Sequence, residues 1–322
     1  MGTRSLAGSP RSVPSAAATF PVRRSLPGGT GRSSTRTVEV PGRGRVVVQR
    51  FSGPPGAPTV VLLHGWTATA DLNWREAYRP LSRHFHVVAF DHHGHGRGVR
   101  SREPFRLEHC ADDVAAIADA LGVRRLIVAG YSMGGPIASL VWRRHPELVD
   151  GLVLCATSCH FGGSPTRRAL FTLLGGGASL SANRHLRAFG RLPATAWSKR
   201  LERRGCDAGL IEQGLAHDWT RVLEAGAAIG RFDSRAWAGT IDVPTAVVTT
   251  LGDQVVPTDH QLELADLVPD AIVHRVPGGH TACVAATGHF SSEVVAACRA
   301  VARRVVTRGV GHGVRGIDSL AA

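Results

Sequence analysis

The sequence predicts an open α/β sheet, mostly parallel, covered by helices on both faces and interrupted by one helical insertion. Short apolar runs alternate with amphipathic helical patterns along most of the chain, and this alternation stops between residues 158 and 237. Continuous Val, Leu and Ile runs joined by helices are typical of parallel strands that are buried on both faces. The 322 residues, 43% of them hydrophobic, suffice for one such domain with an insertion.

The predicted elements follow in chain order. A hairpin comes first, with strands at residues 37–40 and 45–51 around a Pro-Gly-Arg-Gly turn. The strands after it are predicted at residues 59–63, 86–90, 125–130, 151–155, 245–249 and 271–275. The helices are predicted at residues 74–84, 107–121, 133–145, 258–267 and 291–307.

These patterns divide the chain into five parts. Residues 1–36 are rich in Ser, Pro, Gly and Arg without periodicity, so we expect a disordered basic tail, and residues 308–322 are expected to form a flexible tail. The α/β core is expected in two parts, 37–157 and 238–307. Residues 158–237 contain no good strand, which predicts a helical cap. In open α/β sheets the ligand crevice lies outside the carboxyl ends of the strands, so we expect the cap to cover that edge.

The positive charge of the chain is concentrated at its ends. The formal net charge is +13, yet residues 1–38 hold six arginines and no acid, and residues 303–322 hold four arginines and one aspartate. The part between them is only mildly basic and lacks the mixture of basic and stacking aromatic residues that is typical of nucleic-acid binding. No nucleic-acid partner is therefore expected.

No apolar segment predicts export or a membrane span. The longest uncharged apolar run, residues 126–142, is shorter than the roughly 20 residues that a bilayer requires, and glycines and a proline divide it. No signal-peptide pattern is present, and we expect a cytoplasmic protein with buried thiols rather than disulfides. The close pair Cys155 and Cys159 lacks the partner histidines or second cysteine pair of a zinc site, so no metal is expected.

The segment Gly-Tyr-Ser-Met-Gly at residues 130–134 is the first that indicates a catalytic residue. It lies between a predicted strand and a predicted helix, and this placement makes Ser132 a candidate nucleophile on a sharp turn. The flanking Gly130 and Gly134 keep neighbouring atoms clear of that turn. The helix N-terminus behind the serine favours developing negative charge.

A serine hydroxyl needs a base, and the base needs an orienting carboxylate. His280 follows the last predicted strand and Asp253 follows the strand before it, so we expect both at the sheet edge where Ser132 lies. The chain order serine, aspartate, histidine is the order of this strand-turn-helix architecture. The rival histidines His274, within a strand, and His289, near a helix start, are interpreted as structural.

The tripeptide His64-Gly65-Trp66 follows the first predicted parallel strand. The backbone N–H groups of Trp66 and Met133 are expected to converge where an oxyanion forms, and loss of one such donor typically costs about 2.7 to 4 kcal/mol of transition-state stabilisation. We interpret His64 as a brace for this loop.

Four segments together resemble the α/β-hydrolase superfamily: the serine turn, the His-Gly-Trp loop, Gly-Asp-Gln-Val-Val-Pro at 252–257 and Gly-Gly-His at 278–280. The resemblance extends over residues 37–305, interrupted by the insertion. It implies the esterase-like or lipase-like branch with a helical cap. Ser132 excludes the branches with an aspartate or cysteine nucleophile, including dehalogenases and epoxide hydrolases.

One segment departs from the family pattern. Residues 91–98 look like the family's D-x-R-G-H-G-x-S loop, but His93 replaces the arginine and Gly98 replaces the serine. That loop supports the site and does not react with substrate. The two replacements therefore affect how the loop is held and leave Ser132, Asp253 and His280 unaffected.

The expected activity is hydrolysis of a small or medium carboxylic ester through an acyl-serine intermediate, with no metal or organic cofactor. Ser132 would attack, His280 would move the proton and Asp253 would hold the imidazole. Carbon–carbon bond hydrolysis, acyl transfer and perhydrolysis share these residues and stay open, as do a non-catalytic ligand-binding function and the oligomeric state. Three bulky residues of the predicted cap are candidates for the substrate pocket: Trp197, Trp219 and Phe232.

Overall fold

The computed structural model describes residues 33–162, 196, 198–199, 203, 212, 215–285 and 288–315. Eight strands in this part of the chain form one sheet. They are β1 (Ser33–Val40), β2 (Gly44–Phe51), β3 (Thr59–Leu63), β4 (His86–Phe90), β5 (Leu126–Tyr131), β6 (Val149–Cys155), β7 (Thr245–Thr250) and β8 (Ile272–Val276).

The sheet is mostly parallel, as the sequence predicts. Its strand order is β1-β2-β4-β3-β5-β6-β7-β8. The β1–β2 and β2–β4 pairs are antiparallel, and every other neighbouring pair is parallel. Because parallel strands run in one direction, the loops that follow β3, β5, β7 and β8 all begin at the same edge of the sheet. The candidate site residues lie in these loops.

Helices cover both faces of the sheet. Those in the described part are α1 (Ala70–Ser82), α2 (Leu107–Ala120), α3 (Gly134–Arg144), α4 (Trp219–Arg231), α5 (Thr258–Leu267) and α6 (His289–Arg315). On one face, Trp74 of α1 and Phe290 of α6 pack together with their ring centroids 5.8 Å apart. On the other face, Ile117 of α2 and Ile137 of α3 are buried. Replacing such an isoleucine by alanine costs about 2 to 5 kcal/mol.

Several predicted boundaries differ from the observed ones by a few residues, and two of these differences lie near the ends of the described chain. Strand β1 begins at Ser33, so its first four residues belong to the predicted tail 1–36. The sequence shows no apolar signal there because β1 is an edge strand and its first residues are exposed. Helix α6 continues to Arg315 although the prediction ended it at residue 307. Glycine lowers helix propensity by only about 1 kcal/mol, so the glycines beyond residue 307 do not end the helix.

Only part of the predicted cap, residues 158–237, falls within the described residues. Its helix α4 contacts the loops that follow β3 and β4. Trp66 Nε1 donates to the backbone oxygen of Val222 at 2.6 Å, and the Asp218 N–H donates to the Gly94 oxygen at 2.7 Å. The first half of α4 and the residue before it therefore lie against the loops at the carboxyl ends of the strands.

The cysteines of the described chain match the expectation of buried thiols. Five are buried and form no disulfide: Cys110, Cys155, Cys159, Cys283 and Cys298. Among the helices that the structure describes, none combines the length and apolar character needed to cross a membrane.

Candidate active site

Ser132 lies on the tight turn between β5 and α3, and its backbone has a φ of 52°. This left-handed conformation is uncommon for a residue with a side chain and is strained. Hydrogen bonds on both sides hold it: the Ser132 N–H donates to the Cys155 oxygen at 2.9 Å, and the Ser132 carbonyl accepts from the Thr157 hydroxyl at 2.8 Å. The surrounding structure therefore fixes a conformation that the residue alone would rarely adopt.

Gly130 and Gly134 allow the close backbone approach that this turn requires. A Cβ at Gly130 would lie 2.1 Å from the Gly134 oxygen, and a Cβ at Gly134 would lie 2.3 Å from the Leu63 oxygen. Both distances are far below van der Waals contact, and the obstructing atoms belong to the backbone. Any larger residue at either position would displace the start of α3 or the end of β3.

The structure joins Ser132, His280 and Asp253 in one hydrogen-bonded chain. The distance from Ser132 Oγ to His280 Nε2 is 2.9 Å, and the distance from His280 Nδ1 to Asp253 Oδ2 is 2.7 Å. Since the aspartate oxygen accepts, the imidazole proton lies on Nδ1 and leaves Nε2 free to accept from the serine hydroxyl. This is the geometry that a serine nucleophile and its base require.

Asp253 is held by more than the imidazole. Its Oδ1 accepts the N–H groups of Val255 and Val256 at 2.8 and 2.9 Å, and its Oδ2 accepts the Thr250 hydroxyl at 2.8 Å. Burial alone would raise the pKa of this carboxyl, but His280 and these hydrogen bonds bring the net pKa below its ordinary value. The carboxylate therefore remains ionised at neutral pH.

The loops that carry Asp253 and His280 are hydrogen-bonded to each other. The Leu251 N–H donates to the Val276 oxygen at 3.0 Å, and the Gly252 N–H donates to the Gly278 oxygen at 2.8 Å. These bonds extend the β7–β8 pairing beyond the strands themselves. The distance between the aspartate and the histidine is thus set by the sheet.

The His-Gly-Trp loop lies beside the serine. His64 Nδ1 donates to the Gly65 oxygen at 2.8 Å, while its Nε2 accepts the N–H of His92 at 2.8 Å, so the ring is neutral and braces the loop. Burial lowers the pKa of His64, which favours that neutral form. A Cβ built at Gly65 would lie 3.2 Å from the Cβ of Ser132, which places the loop against the candidate nucleophile.

Two backbone N–H groups near Ser132 donate no hydrogen bond within the described structure. Trp66 follows Gly65 in this loop, and Met133 precedes the first residue of α3. Within the described residues, no hydrogen bond involves the N–H of Trp66 or of Met133. Both N–H groups are therefore free of partners among the described residues, as the expected oxyanion site requires.

The alpha/beta hydrolase fold family matches residues 58–286, more than two thirds of the chain. The protein belongs to the α/β-hydrolase family. The Ser132 turn, Asp253 and His280 all fall within the matched part. The sequence-based recognition of the superfamily is confirmed.

Curated relatives of this α/β hydrolase include proteins with several hydrolase names. RutD from Agrobacterium fabrum, whose name describes a carbamate hydrolase, is 32% identical over 223 residues, which is 67% of this chain and 82% of RutD. The bifunctional esterase/perhydrolase DCH from Acinetobacter calcoaceticus is 37% identical over 96 residues, which is 30% of this chain and 34% of DCH.

Solved structures agree on the fold. The enol-lactonase from Burkholderia xenovorans LB400 superposes with a TM-score of 0.67 and 23% identity, and the superposition covers 82% of this chain and all of the lactonase. At this identity the likeness supports the α/β-hydrolase fold and no particular substrate.

The loop that departs from the family pattern is braced by other contacts. Both oxygens of Asp91 accept backbone N–H groups at 2.8 Å, from Ala70 and Arg97. His93 stacks on Phe105 with the ring centroids 6.0 Å apart and the planes 13° apart. At Gly98 a Cβ would lie 2.1 Å from a backbone oxygen, so a serine there would not fit this conformation. Gly98 therefore suits the conformation of this loop, and His93 is held by its contact with Phe105.

Buried histidines surround this loop. The ring centroids of His64 and His92 lie 4.4 Å apart, those of His64 and His95 lie 5.3 Å apart, and those of His95 and His217 lie 5.2 Å apart. Burial lowers the pKa of His92 and His95 well below the ordinary histidine value and lowers that of His217 to about 3. These rings are neutral at physiological pH.

The two rival histidines lie elsewhere. His274 Nδ1 is 3.0 Å from Glu293 Oε2, between β8 and α6, and His289 is exposed at the start of α6. Neither is hydrogen-bonded to Ser132 in the described structure.

The structure places the candidate substrate-pocket residues differently from one another. Trp197 lies outside the described residues. Trp219 is buried at the start of α4, with its ring 5.4 Å from His217. The expectation for Phe232 is wrong: its ring packs edge-on against Trp237 at 6.2 Å, beside Arg143 at the end of α3 away from Ser132. Helix α4 ends at Arg231, the backbone becomes extended at Phe232, and the side chain packs against the hydrophobic core.

Sequence reasoning missed three supporting residues. Asn73 Oδ1 accepts the Gly65 N–H at 2.7 Å, Gln261 Nε2 lies 3.2 Å from Asp253 Oδ2, and Tyr131 donates its hydroxyl to the His280 oxygen at 2.8 Å. The position of Tyr131 directly before the serine is the only local signal among them. The other two contact residues eight positions away in the sequence, and no motif marks them.

Proposed function

We propose that the protein is a serine hydrolase that cleaves small or medium uncharged carboxylic esters through an acyl-serine intermediate. One observation carries the proposal: the hydrogen-bonded chain from Ser132 Oγ through His280 to Asp253, with distances of 2.9 and 2.7 Å. Its serine occupies the strained turn at the start of a helix. Such an arrangement is costly to hold and is typical of a nucleophile.

In the first half-reaction, Ser132 Oγ attacks the ester carbonyl while His280 Nε2 takes the hydroxyl proton. Asp253 keeps the imidazole in the required tautomer and stabilises the imidazolium that forms. The carbonyl oxygen becomes an oxyanion that accepts from the N–H groups of Trp66 and Met133. When the tetrahedral intermediate collapses, the carbon–oxygen bond to the alcohol breaks, and His280 returns its proton to the departing alkoxide.

In the second half-reaction, water replaces the alcohol. His280 Nε2 takes a proton from water, and the resulting hydroxide equivalent attacks the acyl carbon. The second tetrahedral intermediate uses the same two backbone donors. It then releases the carboxylic acid, and the proton on His280 returns to Ser132 Oγ. The cycle needs no group beyond those that the chain supplies.

Substrate choice is assigned to the insertion, residues 158–237, acting as a cap. The three reacting residues and the backbone donors act on any acyl carbonyl, so discrimination must come from the surrounding walls. Helix α4 contacts the loop that carries Trp66, through the hydrogen bond from Trp66 Nε1 to Val222. Trp219 lies at the start of that helix and, with Trp197, is proposed as a pocket residue. An apolar covered crevice favours uncharged substrates of limited size.

A second candidate is hydrolysis of a carbamate. The similarity to RutD, over 82% of that protein, supports it. A carbamate carbonyl would be attacked by Ser132 in the same way, with an amine or alcohol as leaving group. The two candidates differ in the acyl group rather than in the reacting residues.

The first test is covalent labelling with a fluorophosphonate probe. We expect one probe per chain on Ser132 and none on the Ser132→Ala variant. The matched control is Ser139→Ala, because Ser139 is a buried serine of α3 that donates to the Gly135 oxygen and lies outside the reacting chain. Labelling of Ser132→Ala at the native rate would contradict the proposed nucleophile.

The second test is turnover of matched substrates. Esters of increasing acyl length, a lactone, a carbamate and an ester with hydrogen peroxide as acceptor should be compared by kcat/KM. The proposal predicts the highest values for short soluble esters. Labelling without turnover of any substrate would instead support a ligand-binding protein, and a carbamate preference would support the second candidate. Replacement of Trp219 by alanine should shift the preferred acyl length.

A further inference from the structure

We propose that Cys159, His160 and Glu263 form a binding site for Zn²⁺ or a similar borderline-soft divalent cation. Each residue offers one ligand atom, and the three atoms lie within 4.8 Å of one another. Thiolate, imidazole and carboxylate are the ligand types that bind zinc in proteins. None of these residues takes part in the hydrogen-bonded chain of Ser132.

The fold places the three residues together from two separate segments. Cys159 and His160 follow β6 at the beginning of the insertion, and Glu263 lies on α5, after β7. The backbone around the cysteine is fixed: the Cys159 oxygen accepts the Ser234 N–H at 2.8 Å and the Ser234 hydroxyl at 3.1 Å. The ligand side chains therefore start from an ordered backbone.

The spacing is near that of a tetrahedral site, and small side-chain shifts would bring the three ligand atoms, now within 4.8 Å of one another, around one ion. His160 Nε2 and Glu263 Oε2 are 3.1 Å apart. In a tetrahedral zinc site with bond lengths of about 2.0 to 2.3 Å, neighbouring ligand atoms lie about 3.3 to 3.8 Å apart. A bound ion would take the place of the proton that His160 and Glu263 share. Three protein ligands leave a fourth position for water or for His260, whose ring centroid is 4.9 Å from that of His160.

The surrounding charges are compatible with a divalent cation. Glu263 faces the cysteine, and the nearby cation Arg235 is paired with Asp233 through two contacts of its Nε, at 3.0 and 3.2 Å.

The site connects the start of the insertion to the helix that supports Asp253. Gln261, two residues before Glu263 on α5, has its Nε2 at 3.2 Å from Asp253 Oδ2. The Ser158 hydroxyl, just before the cysteine, donates to the His260 oxygen at 3.2 Å. An ion at this position would fasten the two segments to each other. Bound zinc should therefore raise the melting temperature.

The test uses the full chain without an affinity tag, stripped of metal with a chelator. Calorimetric titration with Zn²⁺ should reveal one tight site per chain, and Mg²⁺, which prefers oxygen ligands, should not bind there. Titration with Co²⁺ should produce a thiolate-to-cobalt charge-transfer band in the near ultraviolet. Cys159→Ser should abolish this band, and His160→Gln and Glu263→Gln should weaken zinc binding by at least about tenfold.

Matched controls separate this site from the other histidines and thiols. Cys298→Ser changes another buried cysteine, and His84→Gln changes an exposed histidine; both should keep the band and the affinity. If Cys159→Ser does not fold, Glu263→Gln decides, because that side chain is 39% exposed. Absence of zinc binding, or binding that Glu263→Gln leaves unchanged, would overturn the proposal.

Discussion

The hydroxyl of Tyr131 donates a hydrogen bond of 2.8 Å to the backbone oxygen of His280. Tyr131 directly precedes Ser132, so the candidate nucleophile and its base are connected by a contact that includes neither reacting atom. The tyrosine ring packs edge-on against Trp74 and Phe290, with centroids 6.1 and 5.3 Å away, and the core thereby fixes the hydroxyl. We infer that Tyr131 positions His280.

Tyr131→Phe should lower kcat about tenfold and leave KM nearly unchanged. The change removes the hydrogen bond that holds the part-buried His280 carbonyl, which is worth about 0.5 to 1.5 kcal/mol, and 1.4 kcal/mol is a factor of ten. The measurement is steady-state ester hydrolysis. Tyr78→Phe is the matched control, since Tyr78 is the other tyrosine of the chain and its hydroxyl bonds Asp71 at 3.1 Å, outside the candidate site. Equal losses in both variants would show a general effect on folding.

The reacting residues should behave as one unit. Ser132→Ala, His280→Ala and the double variant should each lose on the order of 10⁶ in turnover, because removal of any member disables the proton transfer that the others need. Asp253→Asn should lose as much or less. The check is a kinetic double-mutant cycle on variants with native melting temperatures. Additive losses would contradict a shared unit.

Acid should destabilise the protein through its buried histidines. Burial lowers the pKa of His93 to about 4, whereas an unfolded histidine titrates near 6.5. Between these values the unfolded chain binds more protons than the folded one. The free energy of unfolding is therefore highest above about pH 6.5 and falls as the pH drops toward 4. His93→Gln should reduce the pH slope of the unfolding free energy by about 1.4 kcal/mol per unit.

Urea titrations at several pH values between 7 and 4.5 measure that slope. The control is His84→Gln, which changes an exposed histidine. A slope that His93→Gln leaves at the native value would mean that His93 is protonated in the folded protein.

Two N-terminal deletions should differ sharply in their effect on the melting temperature. Removal of residues 1–32 should leave the melting temperature unchanged, because that segment contains few apolar residues. Removal of residues 1–40 also deletes β1, whose Val38 and Val40 are buried and whose eight residues pair with β2. Each buried valine contributes about 1.5 kcal/mol or more, so this deletion should lower the melting temperature by at least about 5 °C. Similar midpoints for both deletions would show that β1 contributes no stability.

Local patterns were sufficient for the fold and for the placement of Ser132, Asp253 and His280 at one edge. Each residue lies in the loop that follows a parallel strand, and parallel strands end at one edge of the sheet, so the three loops lie close together in space. Helix α5 was predicted with its observed bounds, and Pro257 directly precedes its first residue.

Contacts between residues that are far apart in the sequence could not be predicted from local patterns. The Tyr131–His280 bond joins residues 149 positions apart, and the His160–Glu263 contact spans 103 positions. No local pattern encodes such a pair, because the partner depends on how two helices or loops settle on the sheet. Phe232 shows the same limit: its apolar character predicts burial but not which apolar surface it meets.

The most direct measurement of the central claim is the intact mass of the protein during turnover of a slow ester. A reaction quenched within the first turnover should contain chains heavier by one acyl group, and peptide mapping should locate this group on Ser132. The adduct should disappear as the substrate is exhausted and should be absent from Ser132→Ala. Full turnover with no acyl adduct at any time, or an adduct on another residue that forms and decays at the rate of turnover, would contradict the acyl-serine mechanism.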